Sequence, residues 1–150
     1  MWLILFASLM AAQTGTGPAP AKSDLPYLLH ADDLVSTEVT EAKQTEQKDG
    51  TLFTIAGANS PVKTPLASPI FIIHSDKLAA DKLQLFQVQS KGRQREITFY
   101  RKKKNPAPYT FTIKSVGTNV YRLEVNESLP VGEYSISPAD SNQAFCFAVY

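Results

Sequence analysis

Apolar and polar residues alternate in short stretches along most of this chain, and a period of two predicts β-strands. In residues 109–116, for example, Tyr109, Phe111 and Ile113 would lie on one face of a strand and polar residues on the other. Residues 69–74 are almost continuously apolar, which is typical of a central strand buried on both sides. The candidate strands are residues 51–56, 69–74, 83–89, 95–101, 109–116, 120–125, 133–137 and 144–150, and residues 27–30 and 34–39 are shorter candidates near the start.

Helical periodicity is weak throughout the sequence. Residues 75–82 are the best helical candidate, with Ser75 or Asp76 as the N-cap, and they would make two turns at most, with a loop as the alternative. Residues 39–48 have a helix-forming composition but few apolar anchors, so we interpret them as a polar connection.

Strands of this kind predict a single all-β domain over residues 25–150. The chain has 150 residues, and turn residues recur roughly every 8–12 positions, the spacing of a β-sandwich. We therefore expect an immunoglobulin-like or fibronectin III-like Greek-key sandwich of about 7–9 strands. The content of 43% hydrophobic and 19% charged residues favours a folded domain over a disordered chain.

The start of the chain has the composition of an export signal. Residues 1–12 carry no charge and are too few to span a bilayer, which needs about 20 apolar residues. Residues 13–24, rich in Gly, Pro and Thr, predict a flexible linker. The first basic residue is Lys22, so a charged start of the signal is missing, and a hydrophobic strand or an uncleaved anchor stays an alternative. With a cleaved signal, the protein would be secreted or periplasmic, with no membrane span in the mature chain.

Residues 129–134, Leu-Pro-Val-Gly-Glu-Tyr, match the tyrosine corner of Greek-key sandwiches. Gly132 would permit a tight bend between the two sheets. The hydroxyl of Tyr134 would donate a hydrogen bond to the backbone of the loop, and Leu129 would fill the adjoining end of the core.

The end of the chain resembles a group of short exported bacterial β-sandwich proteins to which no activity is assigned. The resemblance covers roughly the last 25 residues, in the Gly132-Glu133-Tyr134 corner and the strand containing Phe145, Cys146 and Phe147. This chain has Val131 where a proline is commoner. The resemblance implies an exported β-domain and no particular chemistry.

Charge is unevenly distributed, although the net charge is only +1. Residues 22–49 contain three lysines and seven acidic residues, whereas residues 91–104 contain seven basic residues and one acidic residue. The imbalance predicts opposite faces or ends of opposite sign. An anionic polymer or a glycan could bind the basic segment, with flanking tyrosines stacking on a sugar or base, or the segment could be a solvated hairpin. The candidate binding residues are Lys91, Arg93, Arg95, Tyr100, Arg101, Lys102, Lys103, Lys104 and Tyr109.

Other residues with reactive side chains favour structural interpretations. His74, with Asp76 or His30, could serve a hydrolase, but neighbours on a strand face opposite sides and cannot form a triad by themselves. Cys146 is the single cysteine, and its apolar neighbours predict a buried, inert thiol. No pattern predicts a metal site or a cofactor. We therefore expect a non-enzymatic binding or structural module that contacts a protein partner or the cell envelope, with polyanion or glycan binding as the alternative.

Overall fold

In the computed structural model, which describes residues 19–150, the chain forms two antiparallel β-sheets and no α-helix. The prediction of a β-rich, two-layered fold is confirmed. The strands are β1 Tyr27–His30, β2 Asp33–Ser36, β3 Glu38–Glu41, β4 Lys43–Gln47, β5 Gly50–Ala56, β6 Lys63–Thr64, β7 Ile70–His74, β8 Leu83–Lys91, β9 Gln94–Tyr100, β10 Phe111–Gly117, β11 Val120–Val125, β12 Gly132–Pro138 and β13 Gln143–Val149.

The first sheet has five strands in the order β10-β11-β7-β1-β2. The predicted central strand is confirmed, since β7 lies in the middle of this sheet and its residues Phe71, Ile72 and Ile73 are buried. Nearly continuous apolar sequence suits this position because both faces of the strand are covered.

The second sheet has eight strands, in the order β3-β13-β12-β8-β9-β5-β4, with β6 pairing in parallel with β13. Its two edge strands, β3 and β4, are consecutive in the chain and are separated by Ala42 alone. Because one residue spans only about 3.5 Å, the two edges must lie close together. The second sheet is therefore curled on itself.

The main core lies between the first sheet and strands β8, β12 and β13 of the second. Phe71, Leu123, Leu85, Tyr134 and Phe147 are all fully buried there. The ring of Tyr134 stacks on that of Phe147 with centroids 5.5 Å apart, and Phe71 contacts Phe147 from the opposite sheet at 5.0 Å. The alternation of inward apolar residues in β11, β12 and β13 thus produces a sandwich core, as the sequence pattern predicts.

Residues 19–150 contain thirteen strands, where the sequence predicts about 7–9. The predicted strand 34–39 is two strands, β2 and β3, which separate at the buried Thr37. The interpretation of residues 39–48 as a polar connection is wrong, because they contain most of β3 and all of β4. Every residue of β4 is exposed, so its backbone pairing with β5, rather than apolar burial, holds it in place.

Residues 75–82 form the loop alternative rather than the helix, since only a single 3₁₀ turn, Ala80–Lys82, is present. The preceding backbone N–H groups of Asp76, Lys77 and Leu78 instead donate to the carboxylate of Asp24. A distant carboxylate thus stabilises this segment as a loop and takes the place of a local N-cap.

The predicted signal, residues 1–12, lies outside the described residues. Within the predicted linker, residues 19–24 are described, and three of them contact the domain. Lys22 N–H donates to the hydroxyl of Tyr27, Ser23 Oγ lies 2.8 Å from His74 Nδ1, and Asp24 N–H donates to the carbonyl of His74.

The hydrogen bond predicted for the corner at residues 129–134 is confirmed. The hydroxyl of Tyr134 donates to the carbonyl of Pro130, and Leu129 is buried in the core. Burial raises the pKa of Tyr134 to about 12. The phenol therefore stays protonated, and its stabilising contribution is complete below the pKa of an exposed tyrosine and is lost as the pH rises through about 12.

We expect Tyr134→Phe to lower the free energy of unfolding by about 1 kcal/mol, because one hydrogen bond is lost and the exposed Pro130 carbonyl can bind water instead. Urea denaturation at neutral pH measures this change. The exposed Tyr150 provides the matched control, since Tyr150→Phe should leave the midpoint unchanged. Equal midpoints for both variants would contradict a stabilising role for the corner.

Candidate functional site: a cavity inside the curled sheet

The second sheet opens between β8 and β9. These strands pair only at the three residues next to their turn, from Gln89↔Glu96 to Lys91↔Gln94. By contrast, β5 and β9 pair over seven residues and β8 and β12 over six. Strands β9, β5 and β4 therefore form an arm that diverges from the rest of the sheet beyond Gln89 and Glu96.

A cavity of about 620 Å³ lies on the concave face of the sheet, between this arm and strands β8, β12 and β13. We call it the sheet cavity. It lies on the face of the second sheet opposite the main core, because side chains alternate along each strand. The apolar side chains that line it are Ala42, Phe53, Ile55, Phe86, Val88, Ile97, Phe99, Pro138 and Ala144.

Three phenylalanines form the aromatic part of the wall. Phe99 packs edge-to-face against Phe53, with centroids 5.7 Å apart, and against Phe86, with centroids 5.2 Å apart. All three rings and the neighbouring Ile97 are only half-buried. The wall is thus held in a defined geometry by its own contacts and still presents apolar surface to the cavity.

Polar side chains surround the opening of the cavity. They are exposed, whereas the lining residues Ile55, Val88 and Ala144 are buried. Inside the wall, Ser135 Oγ and Ser137 Oγ lie 2.9 Å apart. The exposed polar residues of the rim are Gln44, Gln84, Asp140, Ser141 and Asn142.

At the end of the cavity away from the rim, Ile55 of β5 forms a small apolar cluster with Ala144 and Cys146 of β13. Ala42 packs against this cluster. Strands β5 and β13 are not neighbours, since β12, β8 and β9 lie between them in the sheet. Contact across the curl therefore closes this end of the cavity.

Arg95 of β9 reinforces the same closed end and is fully buried. Its guanidinium binds the carboxylate of Glu38 through two bonds, of 2.7 Å and 3.1 Å. It also donates to the carbonyls of Ala56 and Gly57, and Glu133 Oε1 lies 4.0 Å from Nη1. Because Arg95 belongs to the arm and Glu38 to β3, this ion pair fastens the arm to the body of the sandwich.

The predicted burial of Cys146 is confirmed. The apolar surroundings raise the pKa of its thiol to about 11, although Arg95 opposes the shift. The thiol is therefore protonated at neutral pH, and a thiol rather than a thiolate is a poor nucleophile.

The predicted binding residues of the basic segment do not all converge on one surface. Arg95 is buried in the ion pair with Glu38, which removes it from any surface site. Arg93 lies in the turn between β8 and β9, and Tyr109 packs against Tyr134 at 6.0 Å. The alternation of basic residues that predicts a shared face continues across a turn, so it does not describe one strand.

Apart from Lys91, which ends β8, the remaining predicted residues lie in or near the loop after β9. Arg101 binds Glu46 at 2.8 Å, and Lys103 lies over the ring of Tyr100 at 5.1 Å from its centroid. Lys102 is exposed in that loop. The predicted separation of acidic and basic segments also differs from the structure, because Glu38 and Glu46 pair with Arg95 and Arg101.

Three of the predicted residues, Lys91, Tyr100 and Lys104, do line one groove of about 510 Å³ on the outer face of β8 and β9. We call this the outer groove. Glu96 also lines it and binds Lys91 at 2.9 Å, which lowers the pKa of the Glu96 carboxyl. Asn105 closes one side by bonding both backbone groups of Tyr100.

The two histidines lie at opposite ends of the first sheet. Strands β1 and β7 are antiparallel with Tyr27 opposite Ile72, so His30 and His74 lie toward opposite ends of these two strands. His74 contacts Ser23, and the backbone of Asp76 is bound by Asp24. The structure therefore separates His30 from His74.

No protein-family model, curated protein or solved structure matches this chain. Within residues 19–150, no helix has the length and hydrophobicity that crossing a bilayer requires. In the same part of the chain, no three His, Cys, Asp or Glu side chains group as the ligands of a metal ion would.

Proposed function

We propose that this protein is an exported, non-enzymatic binding module that holds a small, largely apolar ligand in the sheet cavity. The observation that carries this proposal is the half-buried apolar wall of Phe53, Phe86, Ile97 and Phe99 around a cavity of about 620 Å³. This volume is within the range of about 300–1,000 Å³ that ligand pockets occupy.

The architecture of the wall supports binding rather than simple packing. In the main core, the facing sheet covers the apolar residues, whereas in the sheet cavity the aromatic rings contact one another and leave a space. A ligand that fills this space would remove their remaining apolar surface from water, which contributes about 25 cal/mol per Å². The closed end at Arg95 and Ile55 would limit how deeply the ligand enters.

A fluorescence titration with the neutral apolar dye N-phenyl-1-naphthylamine tests the proposal. We expect saturable binding of one dye per chain, with an increase in dye emission as water is excluded from it. An emission change that grows linearly with protein, without saturation, or that appears only under denaturing conditions would overturn the proposal.

The finer fold class stays a prediction, namely the immunoglobulin-like or fibronectin III-like Greek key. The bond from Tyr134 to Pro130 supports it, because such corners recur in those sandwiches. Export, and contact with a protein partner or the cell envelope, likewise stay predictions from the sequence.

A second candidate function is the binding of an anionic polymer or glycan in the outer groove. The observation that favours it is that Lys91 and Lys104 both line a groove that also contains Tyr100. Lysines attract sulfate or carboxylate groups, and an aromatic ring can stack on a sugar.

For this second candidate, we expect binding of dextran sulfate to weaken as salt rises and to fall several-fold in the double variant Lys91→Gln, Lys104→Gln. The control Lys22→Gln, Lys63→Gln makes the same change in net charge outside the groove. Isothermal titration at two salt concentrations measures both effects. Binding that does not change with salt concentration, or that falls equally in the control, would contradict an anion site in the outer groove.

A further inference from the structure

The charges around the sheet cavity restrict the ligand further, and this inference rests on the proposed function. Of the described residues that line the cavity, Asp140 alone carries a formal charge, and it lies at the exposed rim. No lysine, arginine or histidine lines the described wall. A ligand with an anionic group would therefore meet no counter-charge and would face a carboxylate.

The rim on strands β4 and β5 does not reverse this sign. Thr51 lines the cavity, and its hydroxyl donates to the carboxylate of Glu46. The positive charge beside it, Arg101, is already bound to Glu46 at 2.8 Å and to the carbonyls of Gln47 and Lys48. The guanidinium of Arg101 is thus already paired with one carboxylate and two backbone carbonyls.

The wall also favours a positive group. The faces of phenyl rings carry negative electrostatic potential and attract cations, and Phe53, Phe86 and Phe99 form the aromatic part of this wall. The amides and hydroxyls of Gln44, Gln84 and Ser141 can accept hydrogen bonds from an ammonium group at the rim.

We propose that the sheet cavity selects amphipathic amines, with an apolar body against the phenylalanines and a positively charged head at Asp140, and discriminates against carboxylate amphiphiles such as fatty acids. The rim carboxylate supplies the charge, and the aromatic wall supplies a surface that tolerates both the apolar body and the cation.

Displacement of bound N-phenyl-1-naphthylamine by decylamine, decanol and decanoate tests this selectivity, since the three share one ten-carbon chain. At neutral pH and low salt, decylamine is expected to bind about tenfold more tightly than decanoate, with decanol between them. Asp140→Asn should reduce the difference to about two- or threefold while leaving decanol unchanged.

Asparagine is the suitable replacement because Asp140 has a φ of 61°, a left-handed conformation that asparagine tolerates. The control Asp32→Asn removes one charge from the loop between β1 and β2 and should preserve the preference for decylamine. Decanoate binding as tightly as decylamine, or an unchanged preference in Asp140→Asn, would overturn the proposal. Failure of the dye itself to bind the wild-type protein would instead remove the proposed function on which the selectivity rests.

Discussion

Replacing Arg95 by methionine is expected to lower the free energy of unfolding by about 3 kcal/mol, the lower end of the cost of breaking a buried ion pair from one side, because the side chain of Glu38 is 21% exposed. The guanidinium is fully buried and holds Glu38, two carbonyls and the edge of the arm together. Methionine fills much of the space but leaves the Glu38 carboxylate and the carbonyls of Ala56 and Gly57 without their donor. Urea denaturation with intrinsic fluorescence measures the change.

The exposed pair of Arg101 and Glu46 provides a matched control, since its distance of 2.8 Å is close to the 2.7 Å of the buried pair. Arg101→Met should cost only about 0–1 kcal/mol, because water and salt screen a surface ion pair. Adding Glu38→Gln to Arg95→Met should restore part of the lost stability by removing the unpaired charge. Similar losses in the two single variants would contradict the role of Arg95 in closing the sheet.

Placing a tryptophan at Ser137 is expected to weaken binding of N-phenyl-1-naphthylamine roughly tenfold or more. Ser137 is half-buried on the cavity wall, opposite Gln84 in the neighbouring strand, so an indole there would occupy space that the ligand needs. Losing about 60 Å² of apolar contact at ~25 cal/mol per Å² corresponds to about 1.5 kcal/mol, or roughly tenfold in affinity.

Thr54→Trp is the control for this prediction. Thr54 is next to Phe53 on β5, and its side chain lies on the opposite face because side chains alternate along a strand. Dye affinity should be unchanged there, and the unfolding midpoints of both variants should confirm that each is folded. If Ser137→Trp binds the dye as tightly as the wild type does, the dye site lies elsewhere.

Much of the fold could be predicted because most strands bury one face. Strands β1 and β11 have the predicted bounds, and β7 is central as its apolar run indicates. The corner around Tyr134 could also be predicted, because a short segment of chain contains both the donor and the acceptor of its hydrogen bond. Strand β4 could not, since an exposed strand without apolar residues carries no burial signal.

The charge pattern predicts a surface position for Arg95, whereas the structure buries it. Lys91, Arg93 and Arg95 alternate in the sequence, but the turn at Gly92 places Lys91 and Arg95 on different strands. The signal for the burial of Arg95 lies in the alternation within β9, because Arg95 shares a strand face with Ile97 and Phe99. An arginine in phase with apolar residues indicates a buried ion pair, but only the fold shows that Glu38 is its partner.

The sequence carries a weaker signal for the sheet cavity than for the burial of Arg95. Strand β8 has Leu83 and Leu85 in one phase and Phe86 and Val88 in the other, so both of its faces are apolar. This pattern indicates that two layers cover the strand, and the main core accounts for only one of them. Whether the second layer is packed or open depends on how the sheet curls, which local sequence does not determine.

The most direct test of ligand binding in the sheet cavity is an NMR measurement of contacts between N-phenyl-1-naphthylamine and the methyl groups of the protein. Binding in the cavity predicts intermolecular Overhauser effects from the dye to the methyls of Val88 and Ile97, which line it. The exposed Ile113 and Val116 of β10 on the first sheet should show none. Contacts to Ile113 and Val116 in place of Val88 and Ile97 would contradict the assignment of the ligand site to the curled sheet.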